Sequence, residues 1–131
     1  MESKVIRKLF IVDDDLIFCR LMSRVLKKSS KVEEFKLFEN GKLAFENIQN
    51  LRKEHYPDFI ILDLNMPFMN GIEFLEAVVQ LEFFNPNIKV IISSTSVSSN
   101  DKKKISQFDC VVDFYSKDGI TGMLDNMLKF I

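Results

Sequence analysis

Five short runs of mostly apolar residues recur along the chain, each bounded by polar residues or turn formers. The runs lie at residues 8–12, 32–38, 59–62, 88–92 and 111–115. Short apolar runs of this kind are typical of strands buried on both faces of a parallel sheet. The run at 32–38 alternates more between apolar and polar residues, which predicts an edge strand.

Between and after these runs, apolar residues recur at helical spacing and predict five helices. The first covers Leu16 to about Lys28 with Asp15 as its N-cap, and the fourth, lysine-rich and poor in core residues, covers about 101–108. The predicted buried positions are Leu16, Ile17, Leu21, Met22, Val25 and Leu26 in the first helix; Leu43, Ala44, Ile48 and Leu51 in the second; Ile72, Leu75, Ala77, Val78, Val79 and Leu81 in the third; and Ile120, Met123, Leu124, Met127, Leu128 and Ile131 in the fifth.

Strands and helices therefore alternate five times, which predicts an α/β fold. Parallel neighbours are joined almost only by right-handed crossovers, so we expect a doubly wound five-stranded parallel sheet with helices on both faces. A length of 131 residues fits one domain with a sizeable core.

Composition and charge exclude several functional classes. With 18 basic and 19 acidic side chains the formal charge is -1, so no overall field favours nucleic acid or an anionic membrane. No apolar run approaches the roughly 18 residues that span a bilayer. Cys19 and Cys110 are expected to be buried thiols in a reducing cytosol, and the single histidine, His55, excludes three-histidine zinc sites and histidine-pair chemistry.

Polar side chains follow four of the predicted strands. Because the carboxyl ends of parallel strands meet at one edge of the sheet, we expect these side chains to share one crevice. Taken singly, each would be an ordinary turn or surface residue, whereas their convergence on one edge indicates a site. In chain order they are Asp13 and Asp14, then Asp63, then Ser94 or Thr95, and finally Lys117.

The chemistry of this set is restrictive. Three close carboxylates repel one another unless a cation lies among them, and an all-oxygen ligand set suits Mg²⁺. A metal ion and an ammonium group beside a carboxylate are what phosphoryl transfer to that carboxylate requires. The residues therefore predict an aspartate that is phosphorylated.

The chain resembles the receiver domain of bacterial two-component response regulators over essentially its whole length. The motifs that carry the resemblance are Ile11-Val12-Asp13-Asp14-Asp15, Ile61-Leu62-Asp63-Leu64-Asn65-Met66-Pro67 with Asn70-Gly71, Val90-Ile91-Ile92-Ser93-Ser94, and Phe114-Tyr115-Ser116-Lys117. The resemblance implies a flavodoxin-like fold with strand order 2-1-3-4-5. It also implies one receiver domain across residues 1–131, in the cytoplasm, with no output domain after it.

The resemblance further implies a role for each site residue. Asp63 would accept phosphate from a phosphohistidine on a histidine kinase or histidine phosphotransfer protein, and Lys117 would pair with the phosphoryl group. Mg²⁺ would be held by Asp13, Asp14, Asp63 and the backbone carbonyl of Asn65. Ser94 would be the switch hydroxyl, with Thr95 as the alternative, and Phe114 the aromatic switch. A downstream protein would bind the face of the fourth helix, fifth strand and fifth helix, which carries Lys102 to Lys104.

The sequence departs from the family pattern at three positions. Asp118 replaces the proline that usually follows the lysine, Ser94-Thr95 replaces the usual Thr-Ala, and Phe114 has no hydroxyl. Two other functions are weighed. The residues Ile11 to Asp15 contain the hydrophobic-DxD pattern of aspartate-nucleophile phosphohydrolases, although the usual Thr or Val after it is missing. A receiver that binds partners without being phosphorylated is the third hypothesis.

Overall fold

The chain folds as a five-stranded, all-parallel sheet with the strand order β2-β1-β3-β4-β5. This computed structural model describes residues 4–81, 84, 87–95, 97–117 and 120–130, with residues 120 and 121 described by backbone only. The predicted doubly wound fold is confirmed. The strands are β1 (Ile6–Val12), β2 (Val32–Phe38), β3 (Phe59–Leu62), β4 (Lys89–Ser94) and β5 (Val111–Ser116).

Helices cover both faces of the sheet. The α-helices of the described part are α1 (Leu16–Lys28), α2 (Gly41–Gln49), α3 (Gly71–Val78), α4 (Ser99–Ile105) and α5 (Ile120–Met127), with 3₁₀ turns at Lys53–His55 and Leu128–Phe130. Buried side chains of α1 and α5 form one hydrophobic cluster with the sheet, and those of α2, α3 and α4 form the other. None of the helices in the described ranges is long and apolar enough to cross a membrane.

The central strands place the ends of β1, β3 and β4 side by side. Val12 pairs with Leu62, and Leu62 pairs with Ile92. The backbone N–H of Asp63 then donates to the carbonyl of Val12 at 2.9 Å, which continues the ladder by one residue. Asp13 and Asp63 therefore leave neighbouring strands at the same level.

Strand β5 carries one extra residue. Val90 pairs with Val111, but the next residue of β4, Ile91, pairs with Asp113, so Val112 has no counterpart on β4. This is a β-bulge, in which two residues of one strand oppose one residue of its neighbour. Beyond the bulge the pairing is regular to the end of both strands.

The predicted buried stripe of α1 has the right period but the wrong rotation. Leu16, Ile17 and Leu21 are 62%, 73% and 45% exposed, whereas Phe18 and Cys19 are buried. The cap explains the rotation. The Asp15 carboxylate accepts hydrogen bonds from the amides of Ile17 and Phe18, and this first turn directs Phe18 toward the sheet, followed at helical spacing by other buried residues of α1.

Other sequence predictions are corrected at the ends of elements. Leu43 in α2 and Val79 after α3 were predicted to be buried and are 42% and 41% exposed. Helix α4 begins at Ser99 because Ser98 caps it, and it ends at Ile105 rather than near 108. Strand β4 runs two residues further than predicted, to Ser94. The turn at Asn85-Pro86, and Asp118 and Ile131, lie outside the described residues.

Candidate functional site

Three carboxylates meet at the carboxyl edge of the sheet. Asp13 and Asp63 are buried, with 1% and 5% of their surface exposed, while Asp14 is exposed. One carboxylate oxygen from each lies within 4.8 Å of the others. The sequence predicted this convergence from the strand ends alone.

Lys117 brings its ammonium group into the same cluster. Its Nζ lies 3.0 Å from Oδ1 and 2.9 Å from Oδ2 of Asp13. It also lies 3.7 Å from Oδ2 of Asp63 and 3.7 Å from Oδ2 of Asp15. The Lys117 side chain is only 13% exposed, so these charges interact with little screening by water.

Burial and neighbouring charge make Asp63 a weak acid. Loss of hydration, followed by the negative charge of Asp13, raises the pKa of Asp63 from 3.8 to about 7, against the opposing effects of Lys117 and the backbone N–H of Asn65. Near neutral pH the carboxyl group therefore exchanges readily between its protonated and ionised forms.

Asp13 and Lys117 stabilise each other in the same setting. Burial raises the pKa of Asp13, while the N–H of Asp15 and the ammonium of Lys117 oppose that rise. Burial alone would lower the pKa of Lys117, but its hydrogen bond to Asp13 and the three surrounding carboxylates outweigh burial and raise it. Lys117 is therefore positively charged at neutral pH.

The residues present fit a hard divalent cation. The donors are carboxylate oxygens, close enough together to share one ion, and no imidazole or thiolate lies among them. The nearest sulfur is that of Cys19, which donates to the Asp13 carbonyl at 3.5 Å. Burial raises the pKa of Cys19 to about 11, so it is a thiol rather than a metal-binding thiolate at neutral pH.

The remaining predicted residues lie around this cluster. Ser94 ends β4 and is buried, whereas Thr95 beyond it is exposed. Asn65 is exposed, and its backbone N–H donates to the Asp63 carboxylate. Phe114 pairs with Ile92 across β4 and β5 and is 40% exposed, so its ring faces outward.

Two Asn-Gly pairs hold the loop that follows Asp63. Asn40 and Asn70 cap α2 and α3 through their side chains, and Asn70 forms a reciprocal capping box with Glu73. The glycines leave room for the loop. A Cβ on Gly71 would lie 2.5 Å from the carbonyl oxygen of Asp63, and a Cβ on Gly41 would lie 2.6 Å from that of Met69.

Three features of this region were missed in the sequence. Asp15 was predicted only as a cap, yet it also pairs with Lys117. The ring of Phe18 lies 5.1 Å from Nζ of Lys117, and its place three residues after the Asp15 cap is the signal that could have indicated it. Phe68 is 84% exposed and has φ of 69°, a conformation that non-glycine residues seldom adopt.

Comparison with known proteins identifies the family of the chain. The family model for the response regulator receiver domain matches residues 9–129. The chain belongs to this family. Receiver domains are phosphoacceptors of two-component signalling, they are phosphorylated by histidine kinases or phosphotransfer proteins, and they bind Mg²⁺ at an acidic pocket.

Curated relatives share the receiver domain but are longer. A protein-glutamate methylesterase/protein-glutamine glutaminase from Clostridium acetobutylicum is 31% identical over 130 residues, which is 95% of this chain and 35% of that protein. A protein of the same name from Agrobacterium fabrum is 34% identical over 108 residues, 79% of this chain and 29% of that one. The chain spans about a third of the length of these relatives, so the activity in their names is not carried over.

Solved structures agree with the fold. A two-component response regulator from Cytophaga hutchinsonii has a TM-score of 0.79 and 25% identity, covering 96% of this chain and 98% of that one. The chemotaxis protein CheY4 of Vibrio cholerae also has a TM-score of 0.79, with 23% identity, covering 97% and 100%.

Proposed function

We propose that this receiver domain is phosphorylated on Asp63 in a Mg²⁺-dependent reaction with a phosphohistidine. The observation that carries the proposal is the position of the Asp63 carboxylate, which is buried at the end of a central strand beside both Asp13 and Lys117. The Lys117 ammonium lies 3.7 Å from Oδ2 of Asp63, beyond hydrogen-bond distance, whereas it contacts the two oxygens of Asp13 at 3.0 and 2.9 Å.

In the proposed reaction the ionised oxygen of Asp63 attacks phosphorus in line with the bond to the imidazole nitrogen. The phosphorus–nitrogen bond breaks, the imidazole leaves with the electron pair and takes up a proton, and an acyl phosphate forms. A bound Mg²⁺ would neutralise charge on the phosphoryl oxygens. Asp13, Asp14, Asp63 and the backbone carbonyl of Asn65 are the proposed metal ligands.

Three further residues have proposed roles in reading the phosphoryl group. Lys117 pairs with one phosphoryl oxygen, and Ser94, buried at the end of β4, donates a hydrogen bond to another. Thr95 is the less favoured hydroxyl because it is exposed. Phe114, half exposed on β5, packs inward when Ser94 moves; with no hydroxyl it acts through packing alone.

The proposed partners follow from the same roles. The donor is a histidine kinase or a histidine phosphotransfer protein. The proposed docking face for a downstream protein joins α4, β5 and α5, where exposed Lys102, Lys103 and Lys104 on α4 suit an acidic partner. We propose that the reaction takes place in the cytoplasm and that residues 1–131 form one receiver domain. Its expected enzymatic activity is limited to its own phosphorylation and the slow hydrolysis of its own phosphate.

Incubation with phosphoramidate and Mg²⁺ tests the function. The wild type should gain one phosphoryl group per chain by intact mass, and the adduct should disappear after mild hydroxylamine treatment, which cleaves acyl phosphates. Asp63→Asn should abolish it, and Asp109→Asn, which changes an exposed aspartate away from the site, should not.

Two outcomes would contradict the proposal. Adduct formation that survives Asp63→Asn would move the phosphoacceptor elsewhere. Rapid multiple turnover of phosphomonoesters that depends on Asp13 would instead indicate a phosphohydrolase.

A further inference from the structure

The first turn of α1 contacts the ammonium group of Lys117 through an aromatic ring. The ring centroid of Phe18 lies 5.1 Å from Nζ of Lys117, within the range of a cation–π interaction. Phe18 itself is 3% exposed and packs in the cluster between α1, α5 and the sheet. Water is therefore largely excluded from the contact, and cation–π attraction is strongest in such desolvated places.

Backbone and cap fix where this ring lies. The Asp15 carboxylate accepts from the amide of Phe18 at 3.1 Å while its other oxygen lies 3.7 Å from Nζ of Lys117. The same side chain therefore orients the turn that carries Phe18 and faces the ammonium group.

The ring differs in one respect from Asp13 and Asp63, the two partners of Lys117 that are candidate metal ligands. Asp13 holds Nζ most closely, at 2.9 and 3.0 Å, but Asp13 is also a candidate ligand of the metal ion. A divalent cation that takes the oxygens of Asp13 weakens their attraction for the lysine. A hard cation prefers oxygen ligands, so it does not compete for the face of Phe18.

We propose that Phe18 is a positioning residue that keeps Lys117 beside Asp63 when Mg²⁺ occupies the carboxylates. This inference rests on the proposed function, because it assigns how the lysine of that same site is held. Phe18 touches neither the phosphoryl group nor the metal; it acts through Lys117.

The first experiment observes the contact directly by NMR and needs no phosphoryl group. The ε-methylene protons of Lys117, beside the Phe18 ring, should be shifted upfield of ordinary lysine protons, both without and with saturating Mg²⁺. Phe18→Leu should abolish the shift, and Phe18→Tyr, which keeps the ring, should retain it. Loss of the shift when Mg²⁺ is added to the wild type would overturn the proposal.

The second experiment separates positioning from general structure. Binding of Mg²⁺ alone is measured by calorimetry, and binding of beryllofluoride in the presence of Mg²⁺ is measured by amide NMR. We expect Phe18→Leu to weaken apparent beryllofluoride binding at least about fivefold, since one cation–π contact contributes that much even where it is not fully desolvated. The Mg²⁺ affinity of Phe18→Leu should stay within about twofold of wild type, because the ring contacts Lys117 and is not itself a metal ligand.

Two controls make the result specific. Met22→Leu changes a fully buried residue one turn further along the same face of α1, and it should leave both affinities unchanged. Phe18→Tyr should restore most of the beryllofluoride binding. Equal beryllofluoride binding by Phe18→Leu and wild type would overturn the proposal, as would a parallel loss of Mg²⁺ affinity or an equal loss in Phe18→Tyr.

Failure of the proposed function looks different. A wild type that shows no response to beryllofluoride counts against the phosphoacceptor role itself. The methylene shift of Lys117 still decides whether Phe18 holds the lysine in that case.

Discussion

Two requirements on the side chain of Asp63, burial and negative charge, oppose each other when no cation is bound beside it. Its proposed reaction requires burial away from water, yet burial beside Asp13 disfavours its charge and raises its pKa to about 7. In the proposed metal site, protons and Mg²⁺ would therefore compete for the same carboxyl group.

We predict that this competition is visible as a pH dependence of stability. The folded pKa of Asp63 lies above its ordinary value of 3.8, so between about pH 4 and pH 7 the unfolded chain has lost a proton that the folded chain retains. The free energy of unfolding therefore falls as pH rises through this window, measured by urea unfolding without metal. Asp63→Asn should make the dependence shallower; an unchanged slope would contradict the raised pKa.

Mg²⁺ affinity should show the opposite dependence. Binding that displaces one proton from Asp63 strengthens up to about tenfold per pH unit below the pKa of about 7 and levels off above it. Calorimetry between pH 5.5 and pH 8 measures this slope, and an affinity that is flat with pH would show that no proton is displaced.

At the scale of elements, the glycines that begin α2 and α3 act through space rather than through unusual backbone angles. Gly71 lies against the backbone of Asp63 and Leu64, which a Cβ would meet at 2.5 and 2.9 Å. The loop after Asp63 is thus packed directly onto the start of α3.

We predict that Gly71→Ala destabilises the fold by about 1–3 kcal/mol, the usual cost of overpacking, and weakens Mg²⁺ binding because the loop after Asp63 must shift. Gly122→Ala is the matched control. Its Cβ would meet nothing closer than 3.9 Å inside α5, so it should stabilise by about 0.5–1 kcal/mol through helix propensity. Urea unfolding of both variants measures the difference, and equal effects would contradict the steric account.

The same elements show what the sequence could and could not predict. The parallel five-stranded sheet, the capped start of α1 and the meeting of Asp13, Asp63 and Lys117 follow from apolar runs, a capping residue and the geometry of parallel sheets. The strand order is predicted only from the family resemblance. The rotation of α1 does not follow, because the segment from Leu16 to Met22 is apolar on nearly every side. Tertiary packing then decides which side is buried.

The contacts of Phe18 could not be predicted for a related reason. They depend on the rotation of α1 and on how far β5 delivers Lys117, and neither is a local property of the sequence. The role of each site residue remains a prediction from the family pattern.

At the scale of the whole molecule, two hydrophobic layers share one sheet. The strands contribute alternate residues to the two clusters, so both layers depend on the same sheet for their cores. Each layer also holds one of the two tyrosines of this tryptophan-free chain: Tyr56 packs with α2 and α3, and Tyr115 packs against the α1–α5 layer.

We therefore predict a single cooperative unfolding transition. Tyr115→Phe leaves Tyr56 as the fluorescent reporter of one layer, and Tyr56→Phe leaves Tyr115 as the reporter of the other. In each variant the urea midpoint from tyrosine fluorescence should coincide with that from far-ultraviolet circular dichroism. Midpoints that separate in either variant would show that the layers unfold independently.

The bulge at Val112 determines which face of the sheet the later side chains of β5 point to. Successive residues of a regular strand point to opposite faces, so a bulge, in which two residues oppose one, turns every later residue to the face opposite the one it would reach in regular pairing. With Val112 present, Tyr115 lies opposite Ser93 and faces the layer of α1 and α5, as does Lys117 two residues later. If the same residues paired regularly, with Val112 opposite Ile91, Tyr115 would lie opposite Ser94 and the ammonium group of Lys117 would point to the other face of the sheet, away from Phe18. An odd residue in an edge strand thus decides on which side of the sheet the positive charge meets the acids.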